Sequence, residues 1–329
     1  MKLPDILPMR PFFRPVIWGG RRLESLYGKP LPTGEAIGES WEVSVRPQQQ
    51  SLVAAGALEG WSLERLIAAE GGQLLGAEVW ARYGTNFPLL IKFLDTNQTF
   101  SIQVHPDDDY VRTHGLQGYG KTEAWYVVYS QGGQVGLGLK SGIDRQALAA
   151  AAAAGRIEEM VQFYPVEPGQ VVYLPAGTVH TLGAGAVVYE VQQSSELTFR
   201  LYDYNRLDDQ GRARELHLEE SLAAIHFGER PTPPTHWSQL AGPNAEEIEL
   251  VSSPHFLLRL QRAAGGPSQH AAEAGVVALT IVGGTGRIEA DGLAYDAVPG
   301  ATFLIPAQRP FALESIGAAT LEYLLATIP

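Results

Sequence analysis

The chain contains no cysteine. That absence excludes a disulfide scaffold, a thiolate metal site and a cysteine nucleophile, so any metal must be held by imidazole, carboxylate or amide groups. Positive charge is in deficit as well: 24 Lys and Arg against 36 Asp and Glu leave a net charge of −12. Neither a nucleic acid nor an anionic membrane is an expected partner for such a surface, and cations for a phosphorylated ligand would have to be local. No apolar run approaches the roughly 18 residues that a membrane span requires. The opening "MKLPDILPMRPFFRPVIWGG" is punctuated by proline where a secretory signal would carry its apolar core. The expected compartment is therefore the cytoplasm. What remains, 45% hydrophobic and 18% charged residues over 329 positions, is the composition of a folded globular protein long enough for two domains.

Short β-type runs closed by Gly and Pro turns dominate the chain. They include "ESWEVSV", "FPLLIKFLD", "FSIQVH", "EAWYVVY", "QVGLGLK", "GQVVYLP", "AVVYEVQQ", "LTFRLYDY", "FLLRLQR", "VVALTIVGG", "GRIEA" and "ATFLIP". Many short strands with frequent turns predict a mainly β protein, a sandwich or barrel, with few helices. Helical patterns are confined to "SLERLIAAEGGQLLG", the alanine-rich "DRQALAAAAAAGRIEEMVQ" and "LHLEESLAAIHF". Residues 228–244, "GERPTPPTHWSQLAGPN", lack periodicity and read as a linker, which places a boundary near residue 240: a domain over 1–240 and a second over 241–329. Two glycine motifs carry no nucleotide site. "VGGTGRIEADG" continues as a strand pattern where a dinucleotide loop would open a helix, so it reads as a hairpin, and "GLQGYGK" could cradle phosphate through its backbone N–H groups but reads equally as a plain loop leading into the next strand.

Chemistry concentrates in three stretches. "SIQVHPDDDY" sets Gln103 and His105 two positions apart, hence on one face of a strand whose other face carries Ile102 and Val104. "GKTEAWYVVY" does the same with Lys121 and Glu123. "GQVVYLPAGTVHTLG" runs from Gly169 through Pro175 and Gly177 to His180, with a Pro-Ala-Gly turn that aims the imidazole inward. This last spacing resembles the second motif of the cupin superfamily, a double-stranded β-barrel enclosing one metal. Gln103, His105, Glu123 and His180 would then supply four N/O ligands. Zinc suits that set, and two histidines with one carboxylate also describe non-haem iron.

"FPLLIKFLDTNQTFSIQVHPDD", "YGKTEAWYVV", "PAGTVHTLGAG" and "YEVQQSSELTFRLYDYNR", with "PVIWGGRRL" and "IGESWEVS" ahead of them, resemble in order the signature blocks of type I mannose-6-phosphate isomerases in their short bacterial form. The resemblance implies two cupin barrels and one Zn2+ per chain on Gln103, His105, Glu123 and His180. It implies a sugar phosphate as substrate and interconversion of mannose 6-phosphate with fructose 6-phosphate through an enediolate. It also implies that Arg200 is the active-site arginine, that Lys121 and Glu190 serve proton transfer or substrate positioning, and that Ser101 lies near the sugar phosphate. Arg200, Lys121 and Arg206 would supply the phosphate counter-charge, and the choice of base between Lys121 and Glu190 stays open. A monomer or homodimer is expected.

The last segment repeats the cupin spacing as Gly300, Pro306, Gln308 and Phe311, so Phe311 stands where His180 stands and the second barrel is expected to be metal-free. Two rival functions share parts of this inventory. An iron-dependent cupin oxidoreductase would use His105, Glu123 and His180 but has no use for Gln103, Lys121 and Arg200 together. A sugar-phosphate-binding regulatory cupin would keep the pocket without needing the intact "GKTE".

Overall fold

The computed structural model describes residues 2–207 and 211–329. It is mainly β, with its strands gathered into packed sheets. Every segment expected as a strand forms one, and the three expected helices appear as Leu63–Leu75, Arg145–Ala153 and Leu218–Ala224. Their ends follow from local chemistry. Ser62 accepts a hydrogen bond from Arg65 N and Asp144 accepts one from Ala147 N, each satisfying an N-terminal donor, while the alanine run stops just before Gly155 at φ 67°.

Two large sheets, each of seven strands, face one another. One is built around Ile37–Val43, Leu89–Thr96, Glu123–Ser130, Gln170–Leu174 and Ala186–Gln193. The other is built around Leu257–Ala263, Val277–Gly283, Thr302–Ile305 and Leu321–Thr327, and it takes in Leu7–Arg10 and Leu52–Val53 from the start of the chain. Leu89, Ile91, Phe93, Tyr189 and Val191 from the first meet Leu258, Leu260, Leu304 and Leu324 from the second in one apolar cluster. On its opposite face the first sheet packs through Leu94, Trp125, Val127 and Val188 against a five-stranded sheet holding Ile102–Val104, His180–Leu182 and Phe199–Tyr202. The second sheet packs likewise against a four-stranded sheet through Leu279, Ile288, Phe303 and Leu313. Side chains alternate along a strand, so parity sorts the residues of Leu89–Thr96 between these layers. Ile91 and Phe93 enter the layer between the large sheets, and Lys92 and Leu94 point the other way.

The structure departs from expectation over 228–244. Thr235–His236 adds to the edge of the first large sheet opposite Gln170–Leu174, and Trp237–Ala241 is a short helix whose N-terminus is capped by the His236 side chain. Local capping, which leaves no periodicity in the sequence, organises that stretch. "VGGTGRIEADG" is the expected hairpin, with Asp291 and Gly292 at φ 44° and 76° in its turn. No helix among the described residues is long and apolar enough to cross a membrane.

Candidate active site

The register of the strands assembles the site. His180 and Arg200 lie directly opposite Gln103 on its two sides in the five-stranded sheet. In the facing sheet Glu190 sits opposite Lys92 on one neighbour and Trp125 on the other, and Glu123 lies opposite Gln192. The two rows face each other across the interior. The turn before His180 requires Gly177: it holds φ 85°, and a Cβ there would come within 2.5 Å of the His226 ring.

His105, Glu123 and His180 are buried, and one ligand atom from each lies within 4.8 Å of the others. Each imidazole is fixed from behind. His105 Nδ1 donates to Leu197 O at 2.7 Å and His180 Nδ1 donates to Thr178 O at 2.9 Å, so each Nε2 turns an unshared pair toward the centre. Burial, and then Lys121, holds the His105 pKa well below its ordinary value, keeping that ring neutral. Burial opposes ionisation of Glu123, yet the Lys121 ammonium beside it holds its carboxyl well below the usual carboxylate range. Lys121 Nζ lies 2.6 Å from Glu123 Oε2 and 3.0 Å from His105 Nε2, but neither Glu123 oxygen receives an aligned hydrogen bond. Gln103 completes the group, its Nε2 at 3.4 Å from His105 Nε2 and 3.3 Å from His180 Nε2, and its Oε1 accepting from Ser101 Oγ at 3.1 Å. The two ends of an amide are nearly isosteric, so a half-turn would present the oxygen to the centre and the NH2 to Ser101. Two neutral imidazoles, an ionised carboxylate without an aligned donor and a reorientable amide fit a divalent cation.

Beside this group opens a cavity of about 160 Å³ lined by Ser101, Gln103, Lys121, Glu190 and Arg200. All five were expected at the site, and the structure brings them together. Glu190 accepts the Trp125 indole N–H at 2.7 Å and faces Lys92 Nζ at 2.8 Å. Burial pushes its carboxyl above the usual range, against the pull of Lys92 and with the push of Glu123. Arg200 has a buried Nε without a hydrogen-bond partner among the described residues. Burial and the neighbouring Arg214 lower its pKa, against the pull of Asp203.

These features coincide with a match to known proteins. Residues 6–121 match the profile of the type I phosphomannose isomerase catalytic domain. A mannose-6-phosphate isomerase of Streptococcus mutans is 36% identical over 272 residues, 83% of either chain. The chain belongs to the type I phosphomannose isomerase family. Another mannose-6-phosphate isomerase, ManA of Bacillus subtilis, is 32% identical over 301 residues, 90% of this chain and 91% of that one. The crystal structure of the Bacillus subtilis mannose 6-phosphate isomerase superposes with a TM-score of 0.86 at 27% identity, covering 99% of this chain and 100% of that one.

Sequence reasoning missed several residues of this family member's cavity: Lys92, Arg14, Arg214, Trp18, Trp41 and Glu39. A lone lysine within "LLIKFL" was the available signal for Lys92. Arg206, expected as counter-charge, instead bonds Thr99 O and the Asp203 carboxylate; Arg214, from the other side of Asp203, lines the cavity. In the second half of the chain Phe311 pairs with His270 as His180 pairs with Gln103, and Ile305 pairs with Val277 as Leu174 pairs with Glu123. Phenylalanine, histidine and valine thus stand at three ligand positions, and the Phe311 and His270 rings stack at 4.5 Å.

Proposed function

We propose that this chain interconverts mannose 6-phosphate and fructose 6-phosphate, with one zinc ion held by Gln103, His105, Glu123 and His180. The observation that carries the reading is the convergence of three buried ligand groups beside a cavity lined by Arg200, whose Nε has no hydrogen-bond partner among the described residues. An aldose and its ketose differ by a hydrogen moved between C1 and C2, and the C2 proton becomes acidic only when the adjacent carbonyl is polarised. Bound in this group, a divalent ion would supply that Lewis acidity.

The rest is work for side chains. Glu190 is the base this geometry favours: it lines the cavity, stands outside the ligand group, and has a carboxyl raised by burial above the usual carboxylate range. The indole of Trp125 donates to one of its oxygens, and the ammonium of Lys92 faces the other. Arg200 offers positive charge to the enediolate and to the phosphate, and Ser101 and Lys121 border the same space. Phosphate binding at a distance from the reacting carbons would hold C1 and C2 near the base.

Purified protein, stripped with a chelator and assayed for both directions of the interconversion before and after zinc addition, tests the proposal. Activity restored by zinc is the expected result. A metal-loaded, folded protein inert toward both sugar phosphates would overturn it.

A further inference from the structure

The three aspartates that follow His105 are not ligands and do not line the catalytic cavity, yet one of them is wired into it. Asp107 caps the helix Asp108–Thr113 by accepting from Tyr110 N. Asp108 turns the other way. Its Oδ1 accepts from Gly120 N at 2.6 Å, and its two oxygens face Gln193 Nε2 at 3.1 and 3.2 Å. Gln193 is buried, and its Oε1 accepts from Thr122 N at 2.9 Å. Lys121 N, between them, donates to Pro106 O at 2.9 Å. The amides of three successive residues, Gly120, Lys121 and Thr122, are thereby tied to the segment just after His105, and the next residue is Glu123.

We propose that Asp108 and Gln193 form a positioning pair that fixes the Gly120–Thr122 segment, and with it Lys121 and Glu123, before any metal or sugar binds. The proposal rests on the metal-site reading for its consequence but not for its geometry. Its force lies in polarity. A carboxylate at 108 can only accept, so it orients the Gln193 amide with NH2 toward 108 and oxygen toward Thr122 N–H. No other orientation satisfies both ends. The alternative arrangement would set the Gln193 NH2 against the Thr122 N–H, leaving a buried donor without a partner.

The polarity can be reversed and restored. Asp108→Asn alone keeps an oxygen able to accept from both Gly120 N–H and Gln193 Nε2, as Asp108 Oδ1 does, so the discriminating single variant is Gln193→Glu. It sets a carboxylate against the Asp108 carboxylate, and moving it away to relieve the repulsion strips Thr122 N–H of its acceptor. Adding Asp108→Asn offers an NH2 to the new carboxylate and keeps an oxygen for Gly120 N–H. Amide hydrogen exchange on the zinc-free protein should show Thr122 exchanging at least tenfold faster in Gln193→Glu and slowed again in Asp108→Asn/Gln193→Glu. Zinc affinity, measured by competition with a chelator, should fall by about tenfold to a hundredfold in the single variant, the range for outer partners of metal ligands, and recover in the double variant. A double variant no better than the single one in both measurements, or a single variant matching the parent in both, would overturn the pair. A parent protein that binds no zinc would sink the metal reading alone, because the exchange measurement still reports on the pair. Circular dichroism on each variant separates these outcomes from unfolding, and unfolding of Gln193→Glu that Asp108→Asn fails to reverse also counts against the proposal.

Discussion

Trp125 and Glu190 stand directly opposite on neighbouring strands, and the indole N–H donates to Glu190 Oε1 at 2.7 Å. The bond favours the ionised carboxylate, while burial favours the neutral acid, and burial prevails. Catalysis that needs the carboxylate as base is therefore lost as pH falls through a pKa above the ordinary carboxylate range. The pH profile of kcat should show that acid limb, and Trp125→Phe, which keeps an apolar ring but loses the donor, should move it upward by about one pH unit. A limb unmoved in Trp125→Phe would detach it from Glu190.

Metal content follows from the two halves of the chain. Elemental analysis should find one divalent ion per chain, because Phe311, His270 and Val277 stand at the second half's counterparts of His180, Gln103 and Glu123. His180→Ala should abolish that ion. His255→Ala should not, since His255 lies near Asp108, outside the ligand group. Two ions per chain would contradict this reading.

Much of this was visible in the sequence. Period-two spacing put Gln103 beside His105 and Lys121 beside Glu123, and the Gly169 to His180 spacing brought the last imidazole inward, because these relations are local and set by strand geometry. The partners of Glu190 were not legible. Lys92 meets it only through the pairing of Leu89–Thr96 with Ala186–Gln193, a relation between segments almost a hundred residues apart. Arg14 and Arg214 reach the cavity from still other elements. Nor did the sequence show that Leu7–Arg10 crosses to the sheet of the second half, since a four-residue strand carries no mark of its partner.

Arg200 supplies charge and is not placed among the ligands. Arg200→Ala should lower kcat/KM by about a hundredfold to a thousandfold, as expected when a charge-stabilising donor is removed, and leave the metal content at its parental value. Loss of metal along with activity would show that its assignment is wrong.

A buried ion pair within the first half of the chain, bonded in turn to the second half, should be felt in stability. Lys29 Nζ lies 2.8 Å from Glu42 Oε1 and 2.9 Å from Gly300 O, with both side chains almost fully buried; Thr302 Oγ1 donates to the other Glu42 oxygen. Lys29→Met strands an uncompensated carboxylate and should cost about 3–5 kcal/mol. Urea unfolding checks the value, and Lys29→Met/Glu42→Gln, which removes the stranded charge, should recover part of it. A single variant as stable as the parent would show that the pair contributes nothing to stability.

The manner of hydrogen transfer is open to a direct test. Isomerases that shift a hydride typically polarise both sugar oxygens with two ions, whereas the described residues gather ligands for one and set Glu190 and Lys121 beside them. A side-chain base that captures the C2 proton can exchange it with solvent before returning it to C1. Turnover of mannose 6-phosphate in deuterated water should therefore place deuterium at C1 of fructose 6-phosphate, in less than full yield where a closed site shields the base. Glu190→Gln should abolish turnover and exchange together, because the amide cannot accept the proton. Lys121→Met should weaken both without abolishing exchange, since Lys121 contacts the ligands Glu123 and His105. The reverse pattern, with exchange surviving Glu190→Gln and vanishing in Lys121→Met, would transfer the role of base to the lysine. Complete retention of the original hydrogen over many turnovers, with both variants fully active, would remove the enediolate.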